Sequence, residues 1–270
     1  MKRAYVIGNN TSKSLSPKIF NYWFKKYNIK GYYNFIEIQE DNFNKKIKSI
    51  LKKKETLGFN ITIPFKEKII PYLSNIDYNS KNIGAINCVT VNGIKLLGTN
   101  TDWLGFKNSL LSLNKKHTKN NVAIVIGYGG SAKAIIYSLE KMKFKKIKIF
   151  NRTFKKIIET KNIKAYELKD LGKHIESANL VINTIPKKGF YKKIFKTKKP
   201  TINIKKNVIG YDLAYTEETN FLDLFSVKSR ITGLYLLVYQ AAPCFEKWFG
   251  KKPKIDNHIF ETLNKIIYSK

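Results

Sequence analysis

The sequence predicts an α/β fold, and three observations carry the prediction. Short runs rich in β-branched residues, such as residues 4–7 and 122–126, alternate along the chain with segments whose apolar residues recur at helical spacing. Residues 122–126 are apolar without interruption, which suits a strand covered on both faces of a parallel sheet, and glycines 127, 129 and 130 follow at once. At 270 residues and 43% hydrophobic, the chain can build one large or two modest cores.

Composition narrows the function classes. Lysine and arginine number 51 against 19 aspartates and glutamates, a formal charge of +32. An excess of that size raises nucleic-acid binding as a hypothesis. The lysines are spread along the whole chain among Asn, Ile, Tyr and Phe, with no basic tail or basic helix, as an AT-rich genome writes permissive surface positions. The expectation is therefore a small-molecule partner, with no nucleic acid and no membrane. No apolar run approaches the ~18 residues of a membrane span, and the opening MKRAYVIGNN lacks a signal-peptide core. Cys88 and Cys244 are too few and too far apart for a disulfide framework or a zinc cluster, so a reducing cytoplasm is the default compartment.

In chain order, residues 4–7 read as a first buried strand ending at Gly8. The polar stretch after it leads into a helix with Pro17 in its first turn, where a missing N–H costs nothing. Ser14 and Ser16 stand just before that start. One of them can cap the helix, and two hydroxyls beside free helix N–H groups also suit a carboxylate. Residues 32–38 read as a second strand and 43–51 as a helix with a basic outer face.

In residues 57–68, LGFNITIPFKEK, Phe59, Ile61 and Ile63 alternate with Asn60 and Thr62, a strand pattern that Pro64 stops. Lys66 then falls in the first turn of a helix, where the positive end of the dipole favours acids instead. A solvated surface lysine is the ordinary alternative. Residues 83–91, IGAINCVTV, place Asn87 in a small-residue turn before a strand. Asp102 lies between a hairpin strand and a helix beginning near Trp103, which makes it or Thr101 a candidate N-cap.

The stretch 121–138, NVAIVIGYGGSAKAIIYS, joins strand, glycine turn and helix N-terminus into a concavity of backbone N–H groups where a pyrophosphate can sit. Its spacing is G-x-G-G-x-A, short of the full dinucleotide fingerprint, so an ordinary βα turn is the competing reading. Residues 147–150 form the next strand, residues 180–185 another, and residues 208–213 a further one. Residues 187–206 are lysine-dense and unpatterned. Gly233 opens an almost wholly apolar helix that ends at Gly250, with Gln240 a lone polar residue requiring buried partners.

The succession SLSP (residues 14–17), GFNITIPFK (58–66), IGAIN (83–87), GTNTD (98–102), GYGGSAKA (127–134), NRT (151–153) and GLYLLVYQAA (233–242) resembles the shikimate dehydrogenases, in the family's order and at its intervals. The resemblance implies an N-terminal α/β substrate domain and a Rossmann-type nucleotide-binding domain with the active cleft between them. The boundaries it suggests are residues 1–101 with 235–270, and 102–234. The activity implied is reversible NADPH-dependent reduction of 3-dehydroshikimate to shikimate, a step of aromatic amino acid biosynthesis, by a cytoplasmic monomer or homodimer.

By the same resemblance, Lys66 and Asp102 flank the reacting centre. Ser14 and Ser16 hold the substrate carboxylate, and Thr62, Asn87, Asp102, Gln240 and Tyr215 contact the rest of it. Gly127, Tyr128, Gly129, Gly130, Ser131, Asn151, Arg152, Thr153, Lys156, Leu213 and Gly233 hold the cofactor; no metal is implied. A lysine is an ammonium at neutral pH and already carries the proton that reduction of a carbonyl needs.

Cofactor choice is read from residues 151–156, where no acid is present to engage a ribose hydroxyl. A guanidinium at 152 with a hydroxyl at 153 suits a 2′-phosphate, hence NADP. The chain departs from the family at Tyr128 and Ser131, where small alanines are commoner, at Lys156 in place of an arginine, at Thr232 in place of an aspartate, and at Tyr78 where some members offer an acid. The alternatives are a quinate/shikimate dehydrogenase using NAD and a basic nucleic-acid-binding protein on the same scaffold.

Overall fold

A computed structural model of the chain describes residues 1–51, 55–113, 121–153, 157–185, 204–215 and 220–269. The chain divides into two compact units, Met1–Gly105 with Leu237–Lys270, and Phe106–Leu236.

The first unit holds β1 (Lys2–Gly8), α1 (Ser16–Lys26), β2 (Gly31–Glu37), α2 (Phe43–Leu51), β3 (Thr56–Ile61), β4 (Asn75–Ile76), α3 (Tyr78–Ile83), β5 (Cys88–Asn92) and β6 (Lys95–Thr99), then the start of α4 (Asp102–Ser112). Its six strands run in the order β2-β1-β3-β5-β6-β4, with β1 parallel to both neighbours and β5 antiparallel to both of its own. One face buries Tyr5, Ile7, Phe59 and Ile61 against Phe43 and Ile47 of α2. The opposite side carries an aromatic cluster in which Tyr33 and Trp248 stack on Phe20.

Because both faces are covered, β3 is buried from Gly58 to Ile61 and does not show the half-buried alternation expected for residues 59–63. The strand stops at Ile61, and Ile63 is 52% exposed. The helix expected to begin at Lys66 is also absent. Residues 66–69 form turns: the Lys66 carbonyl accepts the N–H of Ile86 at 2.8 Å, and the Ile70 N–H that a helix would bring to it goes to the Glu67 carbonyl at 3.2 Å instead.

The second unit contains the rest of α4, then β7 (Val122–Ile126), α5 (Gly130–Lys141), β8 (Lys146–Asn151), β9 (Ile163–Glu167), α6 (Leu171–His174), β10 (Leu180–Asn183), β11 (Ile209–Asp212) and β12 (Arg230–Thr232). Its six strands are all parallel, in the order β12-β11-β10-β7-β8-β9. Chain order therefore runs outward in both directions from the β7/β10 pair, which makes the C-terminal ends of those two strands the crevice where doubly wound sheets bind ligands. Ile124 and Ile126 face Leu171 and Phe221 on one side, and Ala123 and Val125 face Ala132, Ile135 and Leu139 of α5 on the other. This two-sided burial is what the unbroken apolar run of β7 requires.

The chain returns to the first unit within α7 (Gly233–Phe249) and ends in α8 (Asn257–Tyr268). Among the described residues no helix is long and apolar enough to cross a membrane.

Candidate active site

The first unit gathers a buried polar group from four segments. Lys66 comes from the turn after β3, Asn87 from the residue before β5, Asp102 from the first turn of α4, and Gln240 from α7. Lys66 Nζ donates to Asp102 Oδ2 at 2.6 Å, with the two side chains 11% and 5% exposed. Asp102 Oδ1 accepts from Asn87 Nδ2 at 2.7 Å. Asn87 Nδ2 also has Thr101 Oγ1 at 3.0 Å and Gln240 Oε1 at 3.2 Å, three acceptors for two hydrogens. Its orientation is fixed from the other end, where Asn87 Oδ1 accepts the Thr101 backbone N–H at 2.6 Å.

Gln240 Nε2 donates to the Leu237 carbonyl at 2.9 Å, so this residue is satisfied partly by its own helix and partly by the polar group. A carboxylate with both oxygens engaged and a lysine at its side can hold a hydroxyl and move a proton to or from it.

Neither Asp102 nor Thr101 caps α4 with its side chain. Asp102 is the first helical residue and its carboxylate turns to Lys66 and Asn87, while the Asp102 N–H donates to Asn100 Oδ1 at 2.9 Å. Asn100, which the motif contained but the sequence reading did not single out, does the capping and also donates to the Ala85 carbonyl at 2.7 Å. The signal was its place two residues before the first helical residue, in the short polar run Asn100, Thr101, Asp102.

At α1 the position before the helix is Leu15 and Ser16 is already helical, but Ser14 plays the part that Asn100 plays at α4: its Oγ accepts the N–H of the first helical residue, Ser16, at 3.2 Å. Pro17 does sit in the first turn. Thr62 lies beside Gly8, where an added Cβ would fall 2.3 Å from the Thr62 methyl.

Two residues missed at the sequence level, Asn60 and Cys244, line the same group. Asn60 Nδ2 lies 3.0 Å from the Asn87 carbonyl and 3.2 Å from Cys244 Sγ, and Thr101 Oγ1 is 3.4 Å from that sulfur. Cys88 and Cys244 are both free and buried. Burial, together with its hydrogen bond to Cys244, pushes the Cys88 thiol up. No group of three or more metal-ligating side chains occurs among the described residues.

In the second unit the glycine turn joins β7 to α5. Gly127 has φ +102°, and a Cβ there would lie 2.4 Å from Thr184 Oγ1, itself bonded to the Ile126 carbonyl at 2.7 Å. A side chain at this position is excluded both by backbone conformation and by the neighbouring strand end. Gly129 is the opposite case, since a Cβ there would meet nothing within 4 Å. Gly130 and Ser131 begin α5, whose N-terminal N–H groups the helix cannot itself satisfy. Tyr128 packs at the edge of the core with the Lys133 ammonium 5.7 Å from its ring centroid.

The Gly127 N–H donates to the Phe150 carbonyl at 2.8 Å, tying the turn to the end of β8. There Asn151 closes the strand and Arg152 and Thr153 are exposed. Lys156 lies outside the described residues. At the end of β11, buried Asp212 Oδ1 accepts from Asn183 Nδ2 at 3.0 Å and from the Ala214 N–H at 3.1 Å, fixing the segment that carries Leu213 and Tyr215. Gly233 packs on that segment so closely that a Cβ would fall 2.0 Å from the Leu213 carbonyl oxygen. The sequence-predicted residues thus assemble as two groups, Lys66, Asn87, Asp102 and Gln240 in the first unit, and the glycine turn, the β8 end and the Leu213–Gly233 contact in the second.

Comparison with known proteins is consistent along the chain. Residues 6–89 match the family model described as shikimate dehydrogenase substrate binding domain, and residues 109–214 match the one described as shikimate / quinate 5-dehydrogenase. The NADP(+) shikimate dehydrogenase of Clostridium botulinum strain 657 is 38% identical over 251 residues, covering 90% of this chain and 95% of that protein. The corresponding protein of Pelagibacter ubique is 34% identical over 279 residues, covering 98% of each. Among solved structures, that of shikimate dehydrogenase from Aquifex aeolicus superimposes with a TM-score of 0.82 at 29% identity, covering 97% of each chain.

Proposed function

The chain belongs to the shikimate dehydrogenase family, and we propose that it catalyses the reversible NADP(H)-dependent interconversion of 3-dehydroshikimate and shikimate in the shikimate pathway. The observation that carries this reading is the buried Lys66–Asp102 pair, held by Asn87 and joined to Gln240. Lys66 Nζ gives a proton to the oxygen of the carbonyl during reduction and takes one from the hydroxyl during oxidation. Asp102 holds the ammonium in place and accepts from a substrate hydroxyl. Asn87, Gln240 and Thr62 discriminate the remaining ring hydroxyls, Ser14 and Ser16 receive the carboxylate beside the N-terminus of α1, and Tyr215 adds a further contact.

The residues present fit a phosphorylated dinucleotide. Open space over Gly129, a glycine forced at 127 and the N-terminus of a 12-residue helix suit a pyrophosphate. Exposed Arg152 and Thr153, with no acid at the end of β8, suit a ribose 2′-phosphate. Asn151, Leu213 and Gly233 complete the surface that holds the cofactor, which when bound supplies the hydride; Lys156 is assigned to the cofactor by the family resemblance alone. The same proposal takes the enzyme as cytoplasmic, acting as a monomer or homodimer, with residues 1–101 and 235–270 serving the substrate and 102–234 the cofactor.

The test is shikimate-dependent reduction of NADP against NAD, followed at 340 nm, with quinate offered as a second substrate and Lys66→Ala as control. Turnover with NADP and shikimate that the control lacks supports the proposal. A kcat/KM with NAD equal to or above that with NADP overturns the cofactor assignment.

A further inference from the structure

A chain of buried hydrogen bonds reaches the Lys66–Asp102 pair from the far side of the first sheet. Tyr33, on edge strand β2, donates its hydroxyl to Asn60 Oδ1 at 2.7 Å. Asn60 Nδ2 in turn faces the Asn87 carbonyl at 3.0 Å and Cys244 Sγ at 3.2 Å. Asn87 holds Asp102, and Asp102 holds Lys66. Tyr33 is 2% exposed, Asn60 6%, Asn87 2%, Asp102 4% and Lys66 9%.

Residues in register explain how a phenol on β2 spans the intervening strand β1 to reach β3. Tyr33 pairs with Ala4 on β1, and Ala4 pairs with Gly58 on β3. Partners in register point to the same face, so the ring passes over a methyl group and then a position with no side chain. Asn60 stands two residues beyond Gly58, on that same face. The ring is clamped from above by Phe20, stacked at 3.7 Å between centroids with 13° between planes, and flanked by Trp248.

The bond orients the Asn60 amide. With the phenol proton on Oδ1, both Nδ2 hydrogens face acceptors, one on Asn87 and one on Cys244. Reversing the amide would set its oxygen against the Asn87 carbonyl oxygen. We propose that Tyr33, buried and bonded to Asn60, is a positioning residue of the active site, holding the Asn87 carbonyl through Asn60, alongside the Ile61 N–H, and so setting the amide that grips Asp102. This rests on the shikimate dehydrogenase reading above.

The test is Tyr33→Phe, which keeps the stacked ring and removes only the hydroxyl. The expected result is a shikimate KM and Kd raised about 5- to 10-fold, roughly the effect of one hydrogen bond between neutral groups. The NADP Kd, read by fluorescence of the reduced cofactor, should stay within twofold. The pH profile of kcat/KM should shift, because the contacts around Asp102 change. In an Asn60→Ala background the same substitution should add less than twofold, since its route is already cut. An unchanged shikimate Kd and pH profile in an active enzyme, with only a lowered melting temperature, would reduce Tyr33 to a packing residue and overturn the proposal, as would equal effects in both backgrounds. A wild-type protein that neither binds nor oxidises shikimate would overturn the parent reading and this one with it.

Discussion

Replacing Lys66 by methionine keeps the length of the side chain and removes its charge, and two effects should follow. Asp102, 5% exposed at its side chain, loses the partner 2.6 Å away while keeping the Asn87 amide at 2.7 Å. Breaking one side of a buried pair costs about 3 to 5 kcal/mol, and the surviving hydrogen bond places this site at the lower end. About 3 kcal/mol corresponds to a fall of roughly 6 to 12 °C in the melting temperature of a unit this size. The catalytic effect is separate: loss of a positioned proton donor lowers kcat by about 10² to 10⁴, with a smaller change in KM. Both are measured by initial rates at a temperature well below the variant's transition and by thermal unfolding. Lys66→Arg separates the two effects. A guanidinium keeps the ion pair and much of the stability but cannot give up its proton, so turnover should stay low. A methionine variant with kcat within tenfold of wild type would remove Lys66 from the proton transfer, whatever its melting temperature.

Other expectations are narrower. Gly127→Ala puts a Cβ 2.4 Å from Thr184 Oγ1 at φ +102°, so it should destabilise by about 1 to 3 kcal/mol and weaken NADP binding while leaving shikimate binding intact; calorimetry with each ligand checks the split. Arg152→Gln should raise the KM for NADP by roughly 10- to 100-fold, the range for a hydrogen bond to a charged group, and change that for NAD little. Equal losses with both cofactors would show that Arg152 does not read the 2′-phosphate. For Asp256, burial opposes the charged carboxylate, but Lys26, the Ile259 N–H and the Tyr22 hydroxyl outweigh it and hold its pKa below the usual aspartate range. A lowered folded-state pKa means stability that is present above the unfolded value and lost as pH falls through the folded one. Asp256→Ala, which also removes the cap of α8, should therefore cost about 1 kcal/mol near neutral pH, and the melting-temperature gap to wild type should close below about pH 4.

What could be read from the residues follows a physical division. Strands buried on both faces, such as β7, announce themselves as unbroken apolar runs, and the glycine directly after β7 marks a turn whose backbone excludes a side chain at 127. The family motifs located Lys66, Asn87, Asp102 and Gln240 because each lies in a short string that resembles the family's, in the family's order. The misreadings arose where a local rule competed with a distant partner. Asp102 and Thr101 had the right chemistry and position for capping, yet Asn100 takes the first N–H of α4 because Lys66 and Asn87 claim the Asp102 carboxylate. Lys66 begins no helix, and its carbonyl takes the N–H of Ile86, 20 residues along the chain. Asn60, Cys244 and Tyr33 were invisible for the same reason, since their value depends on strand register and on a helix more than 180 residues away in sequence.

The surplus of acceptors around Asn87 has a consequence for what can enter. Two amide hydrogens and the Thr101 hydroxyl proton serve a carboxylate oxygen, an amide oxygen and a hydroxyl oxygen, so lone pairs still outnumber protons there. A ligand that arrives with hydroxyl protons fills that deficit, whereas one whose hydroxyls are methylated or replaced by ketones adds to it. Affinity should then track the number of donors a ring carries more closely than its size or apolar area.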